Sequence, residues 1–503
     1  MRIFEAILIL LNLLSLFLIV KEQSRTVWFR LAGANLSVLL IHGLFEGMRY
    51  QMAFPYIFVG LLTVFTFLKG SRKFNAKMPK AVKVMAISLS FVFLMVTVFL
   101  AYALPVFTLP EPTGSYDVGI QYFHWIDENR TDPFLDASTK KRELMVKVYY
   151  PAEGSGSKPY SRYFHNSPEL IRSFTAFYGL PAFMFDHFNL VRMNSKDGLP
   201  LSDQQQTYPV ILFSHGAGTS MEVQTSQSED LASHGYIVVA IDHTYVSAAT
   251  AFPDRITSHK EATTNFQTAD PAELITQIMT DDAAFVIQKL EEMNDGEMPP
   301  IFVGKLNLDA IGAIGHSVGG AVAYNLAIND SRVKAAINLD GRVYVTPNGD
   351  PEDIAPFLML ANDTFHMQMI LDQKSLMKDF AEMTDEEQNS MLSMYGSRDA
   401  YQEAYNKDTE NVLGLTDVLR TSGNLFTIQG SDHMKFTDIG LFIGIRPLRE
   451  LINIRGETDP RRCLEITKAL TLAFFDQFLK GETSTSFESL INRYPELIQV
   501  HLK

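Results

Sequence analysis

Cysteine is almost missing from this sequence: Cys463 is the only one in 503 residues. A single thiol excludes an intrachain disulfide and a cluster of thiolates around zinc, so the fold must be held together by packing. Cys463 stands in an apolar helical pattern, RRCLEITKALTLAFF, which favours a place in the core over a role as nucleophile. His, Asp and Glu do not recur at metal-ligand spacing, so we expect neither a metal nor another cofactor.

Positive charge is outnumbered by negative charge outside the N-terminal fifth of the chain. Residues 1–107 hold 11 Lys and Arg against 3 Asp and Glu, whereas the rest of the chain holds 32 against 54. Nucleic-acid binding needs a basic surface, so the acidic character of residues 108–503 argues against a nucleic-acid partner. A basic and largely apolar N-terminal region is instead typical of membrane segments joined by cationic loops.

Four apolar runs in this region approach the length of about 20 residues that a helix needs to cross a bilayer. The first and the last are the clearest, because the first contains only Glu5 as a charge and the last contains none. The second contains Asn35 and His42 and the third contains Pro55, so both could instead be re-entrant or interfacial. We expect four spans, with three or two as alternatives. The runs are 3–20, 31–45, 52–68 and 84–107.

Lys and Arg are concentrated in two loops, at 21–30 and 69–80. Basic loops stay on the cytoplasmic side of a membrane, which puts the chain after Phe107 on the outer side. We therefore expect an integral protein of the plasma membrane with an extracytoplasmic domain. The expected boundaries are 1–107 for the transmembrane helical anchor, 108–115 for a linker marked by prolines, and 116–503 for the domain.

Beyond the linker, short apolar runs of strand length alternate with helical patterns. Most are continuous runs of Val, Ile, Leu, Phe and Ala, which is typical of strands covered on both faces in a parallel sheet. Repeated strand, helix, strand units predict an α/β fold with a mostly parallel, doubly wound sheet. The predicted strands are 145–150, 208–214, 236–242, 310–315, 333–339, 357–361 and 425–429, and predicted helices include 229–234, 272–293 and a run from 464 to 481.

Residues 159–206 fit this alternation poorly and are rich in Phe and Tyr. They come just before a predicted strand, so they could form a lid or a wall of a substrate channel. A surface insertion that packs its own aromatic side chains is an equally good interpretation.

The strongest motif is Gly315-His316-Ser317-Val318-Gly319, which stands between an apolar strand and an Ala-rich helical pattern. This Gly-x-Ser-x-Gly arrangement is the turn that exposes a nucleophilic serine above the edge of an α/β-hydrolase sheet. The serine takes a strained backbone conformation, and glycine neighbours let the strand and the helix come close. The motif therefore predicts an α/β-hydrolase fold with Ser317 as nucleophile.

A serine hydroxyl needs a base to accept its proton, normally a histidine that is oriented by a carboxylate. In this fold the order along the chain is serine, acid, histidine. Three histidines follow Ser317. We expect His433 to be the base, because it comes just after a predicted strand in LFTIQGSDHMKF, whereas His366 precedes that strand and His501 lies at the chain end.

Two aspartates are candidates for the acid. Asp340 follows the strand directly after the serine motif and Asp363 follows the next strand, and either place is known for the acid of this fold. Asp432 adjoins His433 in sequence and is badly placed to orient its neighbour's ring. The residue pattern alone leaves Asp340 and Asp363 open.

The oxyanion of ester hydrolysis needs two backbone N–H donors. One belongs to the residue after the nucleophile, here Val318, and the other to an earlier strand-to-helix loop. YPVILFSHGAGTS ends a predicted strand in a His-Gly segment of this kind, which makes Ala217 the candidate for the second donor. The alternative is a simple tight turn, and we expect His215 to be a hydrogen-bonded support.

Five segments make the sequence similar to the platelet-activating-factor acetylhydrolase family of serine lipases and esterases: YPVILFSHGAG, DLASHGYIVVAIDH, IGHSVGGAVA, INLDG and IQGSDHMKFTD. They lie within residues 114–482. The resemblance implies that Asp340 is the acid, that Ser317 and His433 are its partners, and that Ala217 and Val318 are the oxyanion donors. It also implies calcium-independent hydrolysis of esters with short or modified acyl groups.

Two parts of the sequence depart from the family pattern. The apolar runs at the N-terminus are not part of the acetylhydrolase domain, although bacterial relatives with such runs would fit. Residues 163–194 and 368–419 match poorly, and acyl-chain selectivity is expected there. The sequence thus predicts a membrane-anchored serine carboxylic-ester hydrolase acting on a small-molecule or lipid ester, with an acyltransferase or a catalytically silent lipid-binding receptor as alternatives.

Overall fold

The computed structural model describes residues 1–20, 24–70, 79–135, 139–154, 157–165, 168–262, 271–296, 300–347 and 350–502. Packing divides the chain into two units. The first consists of Met1–Thr108, Gly179–Val191 and Phe442–Ile452. The second consists of Leu109–Tyr178, Arg192–Leu441 and Asn453–Lys503. The first unit therefore contains two segments of the later chain in addition to the N-terminal region.

The core of the first unit is four helices formed by the four apolar runs. They are α1 Ile3–Val20, α2 Arg25–Phe45, α3 Ala53–Gly70 and α4 Lys80–Ala103. Three segments are long and apolar enough to cross a membrane, namely Arg25–Phe45, Tyr50–Lys69 and Lys80–Ala103, while the apolar helix at Ile3–Ile19 is shorter. Three of the four expected spans thus meet this criterion. Pro55 lies in the first turn of α3, where its missing N–H breaks no helical hydrogen bond.

A buried ion pair between Glu5 and Arg49 joins the ends of the four helices. Arg49 Nε and Nη2 donate to the Glu5 carboxylate at 2.6 and 2.8 Å, and Arg49 Nη1 donates to the carbonyl of Leu104 at 2.7 Å. The Glu46 carboxylate accepts from the N–H of Phe4 at 2.9 Å. The start of α1, the end of α2, the start of α3 and the end of α4 therefore lie together. The four helices alternate in direction, and their opposite ends adjoin the two basic loops of the sequence.

The two later segments of this unit pack against it through aromatic rings and hydrogen bonds. Phe107, Phe188 and Phe442 form a cluster with ring centroids 4.7 to 5.5 Å apart. The side chains of Gln51 and His187 are hydrogen-bonded at 2.9 Å. Part of the segment 159–206 thus folds with the helical unit and part with the second unit.

The second unit is built around a ten-stranded sheet with the order β12-β11-β10-β9-β8-β4-β5-β2-β1-β3, and β6 pairs with β7 in a separate ribbon. The strands are β1 Asp117–Thr131, β2 Lys141–Ala152, β3 Lys196–Asp197, β4 Tyr208–Ser214, β5 Ile237–Asp242, β6 Ala249–Ala251, β7 Ile256–Ser258, β8 Leu306–His316, β9 Val333–Leu339, β10 Phe357–Ala361, β11 Leu425–Ile428 and β12 Leu497–Gln499. The central strands from β5 to β11 are parallel, and the outer pairs β1–β2, β2–β5 and β11–β12 are antiparallel.

Helices cover this sheet, with α7 packed beside α8 and α6 packed beside α13. The remaining helices are α5 Glu169–Phe177, α6 Thr225–Ser233, α7 Pro271–Asn294, α8 Val318–Asn329, α9 Phe365–Asp372, α10 Asp385–Tyr395, α11 Arg398–Ser422, α12 Arg446–Leu451, α13 Pro460–Phe475 and α14 Phe487–Arg493, of which α12 belongs to the first unit. The predicted α/β fold with a mostly parallel sheet is confirmed. Because β4 and β8 to β11 run in parallel, their carboxyl ends share one edge of the sheet, where the loops after them can meet.

Candidate active site

Ser317 occupies the turn between β8 and α8, as the motif predicts. Its backbone has φ 56° and ψ −126°, a conformation that is rare for a residue with a side chain. A Cβ atom on Gly315 would overlap the carbonyl of Gly319, and one on Gly319 would overlap the carbonyl of Ser214. Only glycine fits at both places, so the sharp turn that exposes Ser317 depends on them.

His433 lies on the loop after β11, and its ring is bound to Asp340 at the end of β9. The Nδ1 atom of His433 is 2.6 Å from Asp340 Oδ2, while Asp340 itself is fully buried. Asp340 also has a positive φ of 59°, so the chain turns sharply directly after the strand. The structure thus brings together the histidine and the first of the two candidate acids.

Asp340 has a second imidazole partner, which the sequence pattern does not predict. His366 Nδ1 is 2.9 Å from Asp340 Oδ1, and the main-chain and side-chain N–H groups of Asn362 donate to Oδ1 and Oδ2 at 2.7 Å each. The carboxylate therefore accepts four hydrogen bonds. Both new partners lie just after β10, the neighbour of β9 in the sheet, and this adjacency of parallel strands is the signal that could have found them.

These contacts decide the charges of the pair. Burial raises the pKa of Asp340, but the charges and hydrogen bonds of His366 and His433 outweigh burial and hold that pKa below its usual range. Burial lowers the pKa of His433, but its hydrogen bond to Asp340 and the charge of that carboxylate make the net shift upward. Asp340 is therefore an anion that orients His433 and stabilises its protonated form.

The other candidates for acid and base lie elsewhere. Asp363 Oδ2 accepts a hydrogen bond from the N–H of Gly430 at 2.7 Å. The Asp432 carboxylate accepts from the N–H of Met434 at 3.3 Å and from that of Arg455 at 3.0 Å. These two carboxylates therefore support the loop that carries the histidine, whereas His501 is exposed near the chain end.

The loop after β4 is held so that one of its N–H groups has a fixed direction. The carbonyl of Gly216 accepts from Thr219 Oγ1 at 2.7 Å, from Thr219 N at 3.1 Å and from His215 Nδ1 at 2.8 Å. His215 Nε2 accepts from the N–H of His243, which leaves the ring proton on Nδ1. Across a trans peptide the N–H points opposite to the carbonyl, so the three donors to Gly216 also fix the N–H of Ala217.

This loop lies directly against the serine. A Cβ atom on Gly216 would be 3.0 Å from Ser317 Cβ and 3.1 Å from His316 Nδ1. The side chain of His316 in turn donates from Nε2 to the carbonyl of His433 at 2.8 Å. Burial, followed by the charge of His433, lowers the pKa of His316 to about 3, so it is a neutral donor. His316 therefore connects the serine turn to the loop of His433.

A second, fully buried row of polar side chains supports the ends of β4 and β5. His243 lies between Ser214 Oγ, 3.1 Å from its Nε2, and Asp282 Oδ2, 3.0 Å from its Nδ1. Arg142 binds the same carboxylate at 2.7 and 3.1 Å. All four side chains are buried, so this row holds the start of the Gly216 loop. No sequence motif indicated it.

The part of the segment 159–206 that belongs to this unit contacts the same loop. The ring of Phe177 occupies the place where a side chain on Gly218 would lie. Tyr178 donates from its hydroxyl to the carbonyl of Gly218 at 2.9 Å, and Phe177 packs on His259 with centroids 4.3 Å apart. The end of α5 is therefore one wall beside the loop that contains Ala217.

One group of side chains in the described ranges could hold a metal ion. It consists of Asp340, His366 and His433, whose ligand atoms lie within 4.8 Å of one another. Both oxygens of Asp340 and both Nδ1 atoms are already used in the hydrogen bonds given above. A cation bound to the carboxylate would have to break them. The donor set fits a hydrogen-bonded acid and base better than a resident metal.

This architecture defines the class of the α/β hydrolases, and comparisons with known proteins agree with that class. A solved ferulic acid esterase from Streptomyces cinnamoneus has the same fold, with a TM-score of 0.54 and 23% identity over 78% of this chain and 99% of its own. The model of the family described as platelet-activating factor acetylhydrolase, isoform II, matches residues 103–493. The chain belongs to this family.

Curated relatives are similar over most of the chain at low identity. The platelet-activating factor acetylhydrolase of Cavia porcellus is 21% identical over 74% of this chain and 78% of its own. A probable 1-alkyl-2-acetylglycerophosphocholine esterase of Arthroderma benhamiae is 21% identical over 78% of this chain and 93% of its own. The expected activity class is confirmed: the chain is an ester hydrolase.

Proposed function

We propose that this chain is a membrane-anchored serine carboxylic-ester hydrolase in which Ser317, His433 and Asp340 act as a catalytic triad. The observation that carries the proposal is the hydrogen bond between His433 Nδ1 and a buried, fourfold-bonded Asp340. With the proton of the ring on Nδ1, the Nε2 atom of His433 is an acceptor that can take the proton of Ser317. No hydrogen bond joins Ser317 to His433 within the described ranges, and such contacts often tighten only when substrate binds.

In the first half of the reaction, Ser317 Oγ attacks the ester carbonyl carbon while His433 takes the hydroxyl proton. The electron pair of the carbonyl moves to its oxygen, and the N–H groups of Ala217 and Val318 donate to that oxyanion. The imidazolium then gives its proton to the leaving alkoxide as the C–O bond breaks. The acyl group is left on Ser317.

In the second half, His433 takes a proton from water, which attacks the acyl carbonyl through the same oxyanion site. The bond to Ser317 breaks, its oxygen regains a proton from His433, and a carboxylic acid leaves. Asp340 stays ionised throughout and stabilises the imidazolium twice in each cycle. The lowered pKa of Asp340 and the raised pKa of His433 both fit this role.

The substrate we propose is a lipid ester with a short acyl group. The relatives are named for acetyl esters of this kind, and the end of α5 supplies aromatic side chains beside the Gly216 loop. The test uses the full chain in detergent with p-nitrophenyl esters from acetate to palmitate. Ser317→Ala should lose at least about 10⁴-fold in kcat, whereas the surface variant Ser331→Ala should match the unmodified chain.

Acetate or butyrate should be the preferred ester. Activity retained in Ser317→Ala would refute the nucleophile, and a preference for palmitate would refute the short acyl group. These two outcomes are independent, because the preferred acyl length is measured from the hydrolysis rates of the different esters by the unmodified protein.

We also propose that the helical unit spans the plasma membrane with the catalytic unit outside. Because the helices alternate in direction, the helix ends that adjoin the two basic loops in sequence lie at one end of the bundle. By the distribution of positive charge this is the cytoplasmic end. Cys463 is fully buried and should not react with maleimide. On intact cells a membrane-impermeant maleimide should label Ser331→Cys, and it should label Arg25→Cys only after permeabilisation. The reverse pattern would refute this orientation.

A further inference from the structure

A cavity of about 330 Å³ opens in the second unit at the β1 edge of its sheet. Its walls include Ile120 and Tyr122 of β1, together with residues 158–162, 164 and 165, Arg192 and Asp197. In the sheet order β1 is four strands from β8, about 19 Å at the usual strand spacing. The cavity is therefore separate from the candidate active site.

Two arginines of this cavity stand opposite each other on neighbouring chain segments, and neither forms an ion pair among the residues that the structure describes. Arg162 and Arg192 are paired across an antiparallel bridge, and Met193 donates to the carbonyl of Ser161 at 2.9 Å beside them. In this kind of pair the side chains leave the same face from Cα atoms about 4.5 Å apart. Both are exposed, and neither guanidinium has a carboxylate or other hydrogen-bond partner among the residues that the structure describes.

Like charges placed directly opposite each other destabilise a strand pair. The arrangement is unexpected in a region that holds 32 Lys and Arg against 54 Asp and Glu, where carboxylates are plentiful. An anion bound between the two guanidiniums would remove the repulsion and supply their missing acceptors.

A third cation lines the same cavity. Lys158 Nζ donates to the carbonyls of Asp197, at 3.1 Å, and of Gly198. The Asp197 side chain is the one carboxylate among the lining residues, so Lys158, Arg162 and Arg192 leave an excess of two positive charges there.

The remaining walls are aromatic. Tyr122 stacks on His165 with centroids 4.1 Å apart, and Lys196 Nζ lies 4.8 Å from the ring centre of Tyr160. The cavity thus joins a cationic rim to an apolar wall.

We propose that this cavity binds the phosphate group of a phosphate ester. Guanidinium groups match phosphate oxygens in bidentate fashion, and two guanidiniums with an ammonium offer more donors than the two oxygens of a carboxylate can accept. The phosphate could belong to a lipid headgroup or to a free phosphate compound, which present the same group to the three cations. The proposal does not depend on the triad.

The test is thermal stability of the full chain in neutral detergent, titrated with three probes. They are inorganic phosphate, sn-glycerol 3-phosphate and monomeric dihexanoylphosphatidylglycerol. At least one probe should raise the melting temperature saturably, because a ligand that binds only the folded state stabilises it. The apparent affinity should fall at least about tenfold in the double variant Arg162→Gln/Arg192→Gln.

The matched control is Arg172→Gln/Lys334→Gln, which removes the same charge from exposed positions that do not line the cavity. Its affinity should stay within about twofold. Without probe, the double variant at the cavity should melt no lower than the unmodified chain, since its repulsion is gone. Its hydrolysis of p-nitrophenyl acetate should be unchanged.

Tighter binding of the lipid than of both free compounds assigns the site to a headgroup, and the reverse order assigns it to a free phosphate compound. Either order supports the site. The proposal is overturned if no probe shifts the melting temperature at about 10 mM, or if the control loses affinity as much as the cavity variant.

Discussion

Replacing Asp340 with Asn should change the tautomer of His433 while leaving the shape of the site almost intact. The carboxylate accepts four hydrogen bonds, two on each oxygen. An amide has one acceptor oxygen, and its NH₂ group must face two of the existing donors. If the NH₂ group takes the place of Oδ1, it faces the main-chain N–H of Asn362, which has no acceptor to offer. The NH₂ group should therefore take the place of Oδ2, beside His433.

At that place both partners can adapt, which a main-chain N–H cannot. The Asn362 amide can turn so that its oxygen accepts, at the loss of the bonds that its Oδ1 accepts from Thr364 N at 3.1 Å and from Thr364 Oγ1 at 3.0 Å. His433 must then accept at Nδ1 and carry its proton on Nε2, where it can no longer take the proton of Ser317. A wrong tautomer of this kind lowers kcat about 10⁴-fold, or about 5 kcal/mol of transition-state stabilisation.

The assay is steady-state hydrolysis of p-nitrophenyl acetate by the full chain, with a thermal melt to show that Asp340→Asn folds. The matched control is Asp363→Asn, because the Asp363 carboxylate accepts only from Gly430 N among the described hydrogen bonds and an amide oxygen can do the same. The control should keep kcat within about threefold. A folded Asp340→Asn with kcat within tenfold of the unmodified chain, or a large loss in Asp363→Asn instead, would refute the role of Asp340 in orienting His433.

Three further predictions concern pH, the oxyanion loop and stability. Because Asp340 raises the pKa of His433 and only neutral His433 can accept a proton, kcat/KM should rise with pH through a midpoint above 6.5; a midpoint at or below 6.5 would contradict this. Gly216→Ala puts a Cβ 3.0 Å from Ser317 Cβ, which should displace the loop. We expect kcat to fall about 10²-fold with KM little changed. An unchanged kcat would show that the loop holds no oxyanion donor. Asp282→Ala leaves Arg142 buried with only the more distant Asp132 carboxylate. The free energy of unfolding, measured in denaturant, should therefore fall by about 3–5 kcal/mol. A fall below about 1 kcal/mol would mean that water reaches the guanidinium.

The sequence located the central strands well because their residues are buried on both faces. β4, β9 and β10 have the predicted bounds, and each is a continuous, mostly apolar run. β1 was missed, since DVGIQYFHWIDENRT mixes polar and apolar residues near the sheet edge and pairs antiparallel with β2. Two-residue and three-residue strands such as β3 and β12 have too little pattern to be recognised.

Within the site, residue pattern could find Ser317 but could not choose between Asp340 and Asp363. Both follow apolar strands of one sheet, and their distances from His433 depend on how the loops after β9, β10 and β11 meet. For the same reason the contact of His366 with Asp340 has no local signal. The grouping of Gly179–Val191 and Phe442–Ile452 with the N-terminal helices is likewise a matter of tertiary packing.

Covalent trapping can identify the nucleophile and its dependence on Asp340 in one experiment. The full chain is treated with a fluorophosphonate, digested, and the modified residue is identified by tandem mass spectrometry. We expect one adduct, on Ser317, that forms much more slowly in Asp340→Asn and at the normal rate in Asp363→Asn. An adduct on a different serine, or none in a preparation that hydrolyses p-nitrophenyl acetate, would contradict this expectation.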